Sequence, residues 1–221
     1  MPARSARPHS ATRPAAPRGS VRIIGGRYKR SRLAVVDVPG LRPTPDRVRE
    51  TLFNWLGQDL RGWRCLDLFA GSGALGLEAA SRGAAHVDLV ERDARAAAAL
   101  QQACARLQAP NVQVHARDAL TYAAQAAPAS YDLVFVDPPY AAALQRDALA
   151  QAARLLHDDG LAYVEAPGAD ALAHCIDARS WTLQRSGHAG DVHYALLRRL
   201  PRAPAAPALD LRAPQDGNPT C

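Results

Sequence analysis

The 221-residue chain contains no run of about 20 apolar residues, so nothing in it reads as a membrane-spanning helix. Its first residues are basic but lack the apolar core that a secretory signal needs. Cysteine is sparse and unpaired in spacing: Cys65, Cys104, Cys175 and Cys221 stand far apart with no C-x-x-C. That pattern argues against a disulfide framework and against zinc, so reduced thiols in a cytoplasmic protein and no metal site are expected. No internal repeat is visible. Acid is missing altogether from residues 1–36, which hold nine arginines and lysines. Residues 33–200, by contrast, carry 16 basic and 19 acidic side chains. A basic arm on a mildly acidic body suits an arm that meets phosphates and a body that carries chemistry.

Residues 1–20 are Pro, Ala, Arg and Ser without periodicity, and the Pro/Ala-rich stretch 201–221 is similar, so both read as disordered tails. Between them, residues 21–40 read as a β-hairpin: Val21–Gly26 as one strand, a Gly25-Gly26 turn, and Arg27–Val36 as its partner. Arg22, Arg27, Lys29 and Arg30 would form a basic face with Tyr28 among them as a stacking ring, and RNA is the favoured partner over a passive surface. Residues 41–200 form the main domain. It opens with a helix in which Thr44 is the expected N-cap and Pro45 the first helical residue. Val48, Leu52, Trp55 and Leu56 fall on one helix face. Arg42, Arg47 and Arg49 crowd its N-terminal half, where the helix dipole prefers acids, which hints at a phosphate, carboxylate or RNA partner.

Cys65 to Phe69 is a short apolar run of the kind a buried parallel strand needs, and it breaks into Gly71-Ser72-Gly73 before a helix that Gly83 ends. The segment Gly71–Gly76 satisfies G-x-G-x-x-G, so a dinucleotide loop, a related nucleotide loop and a tight turn without ligand all remain open. Asp67, four residues before the first glycine, favours a ligand with a cationic head such as the amino-acid part of S-adenosylmethionine. His86–Glu91 reads as the next strand, with Glu91 where an acid binds ribose hydroxyls. Asp93 caps the helix that follows. Asn111–His115 is a third strand, after which Asp118 is an N-cap, an acceptor for an adenine amine, or both. Tyr131–Val136 and Leu161–Glu165 are further strands, with an Ala143–Leu156 helix and an Asp159-Gly160 turn between them. Trp181–Arg185 and Val192–Leu197 close the domain as an antiparallel pair.

Asp137-Pro138-Pro139-Tyr140 ends the Tyr131–Val136 strand. Two prolines impose a stiff turn there, and the Asp137 carboxylate and Pro138 carbonyl then offer two acceptors side by side. Two acceptors fit the two hydrogens of an exocyclic amine, and Tyr140 supplies a ring on which a flipped base stacks. With a methyl donor at the glycine loop, transfer needs proximity and orientation and no covalent intermediate. The alternating β and α elements then match an α/β class I S-adenosylmethionine-dependent methyltransferase: Rossmann-like, seven mostly parallel strands, a terminal antiparallel strand and an N-terminal β-hairpin extension.

Arg22-Ile23-Ile24-Gly25-Gly26, Arg42-Pro43-Thr44, Asp46 to Leu56, Asp67 to Gly76 and Val134 to Tyr140 resemble the bacterial RsmD family, the 16S ribosomal RNA guanine-N2 methyltransferases. The resemblance covers roughly residues 21–199. It implies S-adenosyl-L-methionine as cofactor and one guanine of 16S rRNA as target, within the 30S subunit or a late assembly intermediate. Asp67, Phe69, Gly71, Gly73, Glu91 and Asp118 would bind the cofactor, and Asp137, Pro138, Pro139 and Tyr140 would hold the base. Arg22, Arg27, Tyr28, Lys29, Arg30, Arg42 and Arg47 would meet RNA. A monomer is expected. An N6-adenine methyltransferase acting on DNA or another RNA, and an NAD-dependent oxidoreductase, are the alternatives.

Overall fold

A computed structural model describes residues 19–36, 44–139 and 143–201. The two tails, Arg42 and Tyr140 lie outside the described residues. In chain order the elements are β1 (Gly19–Arg22), β2 (Arg32–Val35), α1 (Asp46–Trp55), β3 (Arg64–Asp67), α2 (Gly76–Ser81), β4 (His86–Glu91) and α3 (Ala94–Leu107). They continue with β5 (Val112–Ala116), α4 (Ala119–Gln125), β6 (Tyr131–Val136), α5 (Gln145–Leu155), β7 (Leu156–Pro167), α6 (Ala169–Cys175), β8 (Trp181–Ala189) and β9 (Val192–Arg199).

Seven strands form one sheet in the order β5-β4-β3-β6-β7-β9-β8, with β9 antiparallel to both neighbours and the other pairings parallel. The inner strands are apolar on both faces because helices cover both. In β6, Leu133 and Phe135 join the core shared with the hairpin and α1, while Val134 and Val136 join the core shared with α4, α5 and α6. The chain winds from β3 to β4 and β5 on one side, then returns to β6 on the other. A crevice therefore opens at the carboxyl ends of β3 and β6, where open α/β sheets bind ligands. The register sets Asp67 opposite Phe135, so the glycine loop and Asp137 leave the sheet side by side.

The N-terminal hairpin departs from expectation. Its strands are only four residues each, and the tight Gly25-Gly26 turn is replaced by a longer excursion between them. The reason is α2, which offers better partners than the opposite strand. The amides of Ile24 and Gly25 donate to the Glu78 carboxylate at 2.7 and 2.8 Å, and the Arg27 and Tyr28 amides donate to the carbonyl and hydroxyl of Ser81. Gly26, at φ +70°, fits there because a Cβ would stand 1.9 Å from the Ser81 carbonyl oxygen. Ile23, Tyr28 and Leu33 consequently enter the main core beside Leu52 and Phe53.

Other boundaries shift for local reasons. β7 is longer than expected, because pairing resumes on both sides of the Asp159-Gly160 turn: Tyr131 pairs with Leu156 and Leu133 with Leu161. Asp159 takes φ +63° inside that irregularity. α6, starting after Gly168 at φ +96°, is too short and weakly periodic to have been expected.

Candidate active site

At the end of β3 the Asp67 side chain is 1 % exposed. Its Oδ2 accepts the Gly76 amide at 3.0 Å, while Oδ1 makes no hydrogen bond. Burial pushes this carboxyl up to about 7, with the Gly76 and Phe69 amides opposing and the Glu91 charge adding to the rise. An unpaired buried acceptor costs about 1–3 kcal/mol, so a donor reaching Oδ1, which has no partner among the described residues, would be stabilising. The glycines have distinct tasks. Gly71 and Gly73 adopt φ +52° and +79°, and a Cβ on Gly73 would press Leu100 and Leu77 at 2.6 and 2.8 Å. Gly76 lies so close under Leu89 that a Cβ would sit 2.2 Å away, which lets its amide reach Asp67.

Glu91 closes β4 and is half-buried. Its two oxygens accept the Gly71 amide at 2.9 Å and the Asp93 amide at 2.8 Å, which ties the glycine loop to the neighbouring strand end. Asp118, beyond the end of β5, is exposed and accepts the Thr121 amide at 2.9 Å as the N-cap of α4. That amide holds its carboxyl below the usual range. Phe69 is half-buried and packs against the α4–α6 core. Asp67, Glu91 and Asp118 thus lie along one rim, at the ends of three adjacent strands.

Asp137 follows β6, half-buried, with Pro138 buried behind it and Pro139 half-buried. Its Oδ2 accepts the Thr44 hydroxyl at 3.3 Å. Thr44 is therefore not the N-cap of α1. Pro45 holds that position with φ −56° and ψ 146° and no side-chain cap, and the 6 % exposed Thr44 turns to the carboxylate instead. Thr44 lies one residue before the cap position, so its hydroxyl meets Asp137 across the fold and not the first-turn amides. Beside Asp137 stands Glu165 on β7, because Val136 pairs with Val164. Glu165 is 3 % exposed and its Oε1 accepts the buried Tyr163 hydroxyl at 2.7 Å. Burial, Glu165 and Asp67 together hold the Asp137 carboxyl well above the ordinary range, with Thr44 opposing. Burial raises Glu165 as well, against hydrogen bonds from Tyr163 and Thr44.

The family model described as "conserved hypothetical protein 95" matches residues 21–198. A curated relative from Escherichia coli (strain K12), named "Ribosomal RNA small subunit methyltransferase D", is 44% identical over 187 residues, covering 82% of this chain and 91% of the relative. The chain belongs to the RsmD family. A relative of the same name from Haemophilus influenzae is 39% identical over 186 residues, with 81% and 94% coverage. Among solved structures, a putative methyltransferase, yhhF, from Escherichia coli superimposes with a TM-score of 0.73 at 41% identity, covering 83% of this chain and all of that one. The fold is that of a class I methyltransferase.

In this family member the expected basic face is rearranged. Tyr28 is 7% exposed and packs in the core, so it offers no open ring for stacking; Arg27 lies over it, 5.5 Å from the ring centre. Arg27, Lys29 and Arg30 are exposed on the excursion bound to α2, by the end of that helix remote from the glycine loop. Arg22 is exposed and pairs with Asp46 at 2.8 Å, and Arg47 is exposed on α1. Arg49 is the reverse of a surface cation. It is fully buried and donates to the carbonyls of Thr44 and Arg22 and to Asp46, with Glu78 at 3.7 Å, so it clamps the hairpin to α1 and fixes the Thr44 backbone.

Sequence reasoning missed Thr44, Tyr163 and Glu165 as site residues. A signal for Glu165 was present: like Asp67 and Glu91, it is an acid closing an otherwise apolar strand.

Proposed function

We propose that this protein transfers the methyl group of S-adenosyl-L-methionine to the exocyclic N2 amine of a guanine in 16S rRNA, in the 30S subunit or a late assembly intermediate. The observation that carries the reading is the juxtaposition of Asp67 and Asp137 at adjacent strand ends, one with a buried, unpartnered oxygen and the other beside a stiff proline turn. Bound at the glycine loop, the cofactor supplies an electrophilic sulfonium methyl. Asp67 accepts its ammonium group, Glu91 its ribose hydroxyls and Asp118 its adenine amine. Phe69 walls that pocket, and Gly71 and Gly73 let the backbone lie against it.

Opposite, Asp137 and the Pro138 carbonyl accept the two N2 hydrogens, and Pro139 and Tyr140 shape the pocket for the base. Holding both hydrogens turns the nitrogen lone pair towards the methyl. The methylated nitrogen then sheds a proton, and Asp137, whose proton affinity burial has raised, is placed to take it. Arg22, Arg27, Lys29, Arg30, Arg42 and Arg47 contact the RNA backbone. The protein works as a cytoplasmic monomer.

Labelled S-adenosylmethionine incubated with duplex DNA, naked 16S rRNA and undermethylated 30S particles tests this. Label at guanine N2 in the rRNA or the particles is expected, and label on DNA alone would refute it.

A further inference from the structure

Two buried acids in this fold show what a structural carboxylate looks like. Glu78, fully buried, accepts the amides of Ile24 and Gly25 and pairs with Arg82 at 2.8 Å. Asp88, also buried, takes His86, His115 and the Tyr131 hydroxyl. Each spends its oxygens on cations or donors that hold elements together. Glu165 does not. Among the described residues no arginine, lysine or histidine pairs with it or with Asp137, and its partners are the Tyr163 and Thr44 hydroxyls. Two carboxylates set side by side in a buried site are costly when ionised, and no described cation offsets that cost.

Their placement indicates a use. Val136 pairs with Val164, so Asp137 and Glu165 are the next residues on adjacent parallel strands, about 5 Å apart in backbone spacing. Tyr163, two residues before Glu165 and on the same face of β7, fixes Oε1. The Thr44 hydroxyl, which donates to Asp137 at 3.3 Å, also lies against Glu165. The sheet end therefore holds a second, positioned carboxyl next to the one that receives the amine.

The Asp-Pro-Pro turn alone recognises a planar amine and does not say which. The atom beside the amine differs between bases. In guanine the neighbour of N2 is N1–H, a donor; in adenine and cytosine the ring nitrogen beside the amine is an acceptor. An ionised carboxylate at that place, the form that the Tyr163 and Thr44 hydroxyls favour against burial, is satisfied by the first and repelled by the other two.

We propose that Glu165 selects guanine, by accepting N1–H of the base whose N2 amine is held at Asp137. This rests on the methyltransferase reading above and names the residue that chooses the base. A site that hydrogen-bonds a substrate donor rejects analogues lacking it strongly, because the site's own buried acceptor is left unpaired.

The test replaces the target guanine in an RNA substrate by 2,6-diaminopurine, which keeps the N2 amine but presents an unprotonated N1. The wild type should prefer guanine by about 100-fold in kcat/KM. Glu165→Gln, whose amide can donate to N1, should bring that ratio below about 10-fold while S-adenosylhomocysteine affinity stays within about threefold. Tyr163→Phe, which leaves the charge and frees Oε1, should lower the ratio less, through loss of positioning. If Glu165→Gln slows both substrates alike and the ratio holds, the acid is structural and the proposal fails. Should Glu165→Gln not fold, an unchanged ratio in Tyr163→Phe overturns it equally. A wild type that methylates no guanine in the RNA refutes the methyltransferase reading itself, a result separate from the ratio.

Discussion

Asp67→Asn should make the cofactor-free protein more stable while weakening cofactor binding. The wild-type carboxyl is pushed from 3.8 to about 7 by burial. At 1.36 kcal/mol per pH unit, keeping it charged above pH 7 costs about 4 kcal/mol. The amide of Asn still accepts the Gly76 N–H, but it leaves an N–H at the unpartnered position, which takes back about 2 kcal/mol. The net gain is about 2 kcal/mol, or about 4–8 °C in Tm for a chain of this size. The pH dependence identifies the cause. The folded-state value lies above the unfolded one, so folding takes up a proton between about pH 4 and pH 7, and wild-type stability falls as pH rises through that window. Melting curves at pH 5 and pH 8.5 should therefore show a variant advantage at the higher pH that shrinks or reverses at the lower, where wild-type Asp67 is already neutral. S-adenosylhomocysteine should raise Tm more in the wild type than in the variant at pH 8.5, because its ammonium group meets a charge only there. An equal gap at both pH values, or a variant less stable at pH 8.5, would refute the reasoning.

Three further outcomes follow from the same contacts. Asp137→Ala should abolish methyl transfer, with S-adenosylhomocysteine affinity by calorimetry changed no more than a few fold; unchanged turnover would remove Asp137 from the mechanism. Arg49→Met should cost about 3 kcal/mol in urea unfolding, because a fully buried cation leaves Asp46 and the Thr44 and Arg22 carbonyls behind; a loss under about 1 kcal/mol would place Arg49 outside the clamp. Replacing Arg27, Lys29 and Arg30 together by Ala should weaken RNA binding and reduce the salt slope of log K by about 2–3, and an unchanged slope would move the RNA path elsewhere.

The parallel strands were legible because each is a local pattern: an apolar run sealed by helices on both faces, ended by an acid or a glycine. Asp67, Glu91 and Asp137 could be placed at strand ends for the same reason, since the end of an apolar run is visible without knowing its neighbours. What surrounds them was not. Thr44 looked like a helix cap because a Ser/Thr before Pro usually is one, and only the fold brings it to Asp137, 93 residues away. Tyr28 looked like a surface ring among cations until α2 drew its backbone inwards through Ser81. Arg49 looked like a phosphate ligand until the hairpin closed over it.

The sequence by itself therefore determined the alternating strands and helices apart from α6, the glycine loop, the stiff turn at Asp137 and the family. Only the tertiary structure decided that Asp67, Asp137 and Glu165 crowd one rim without a described cation, because strand order in the sheet, not distance along the chain, sets which carboxylates share a site.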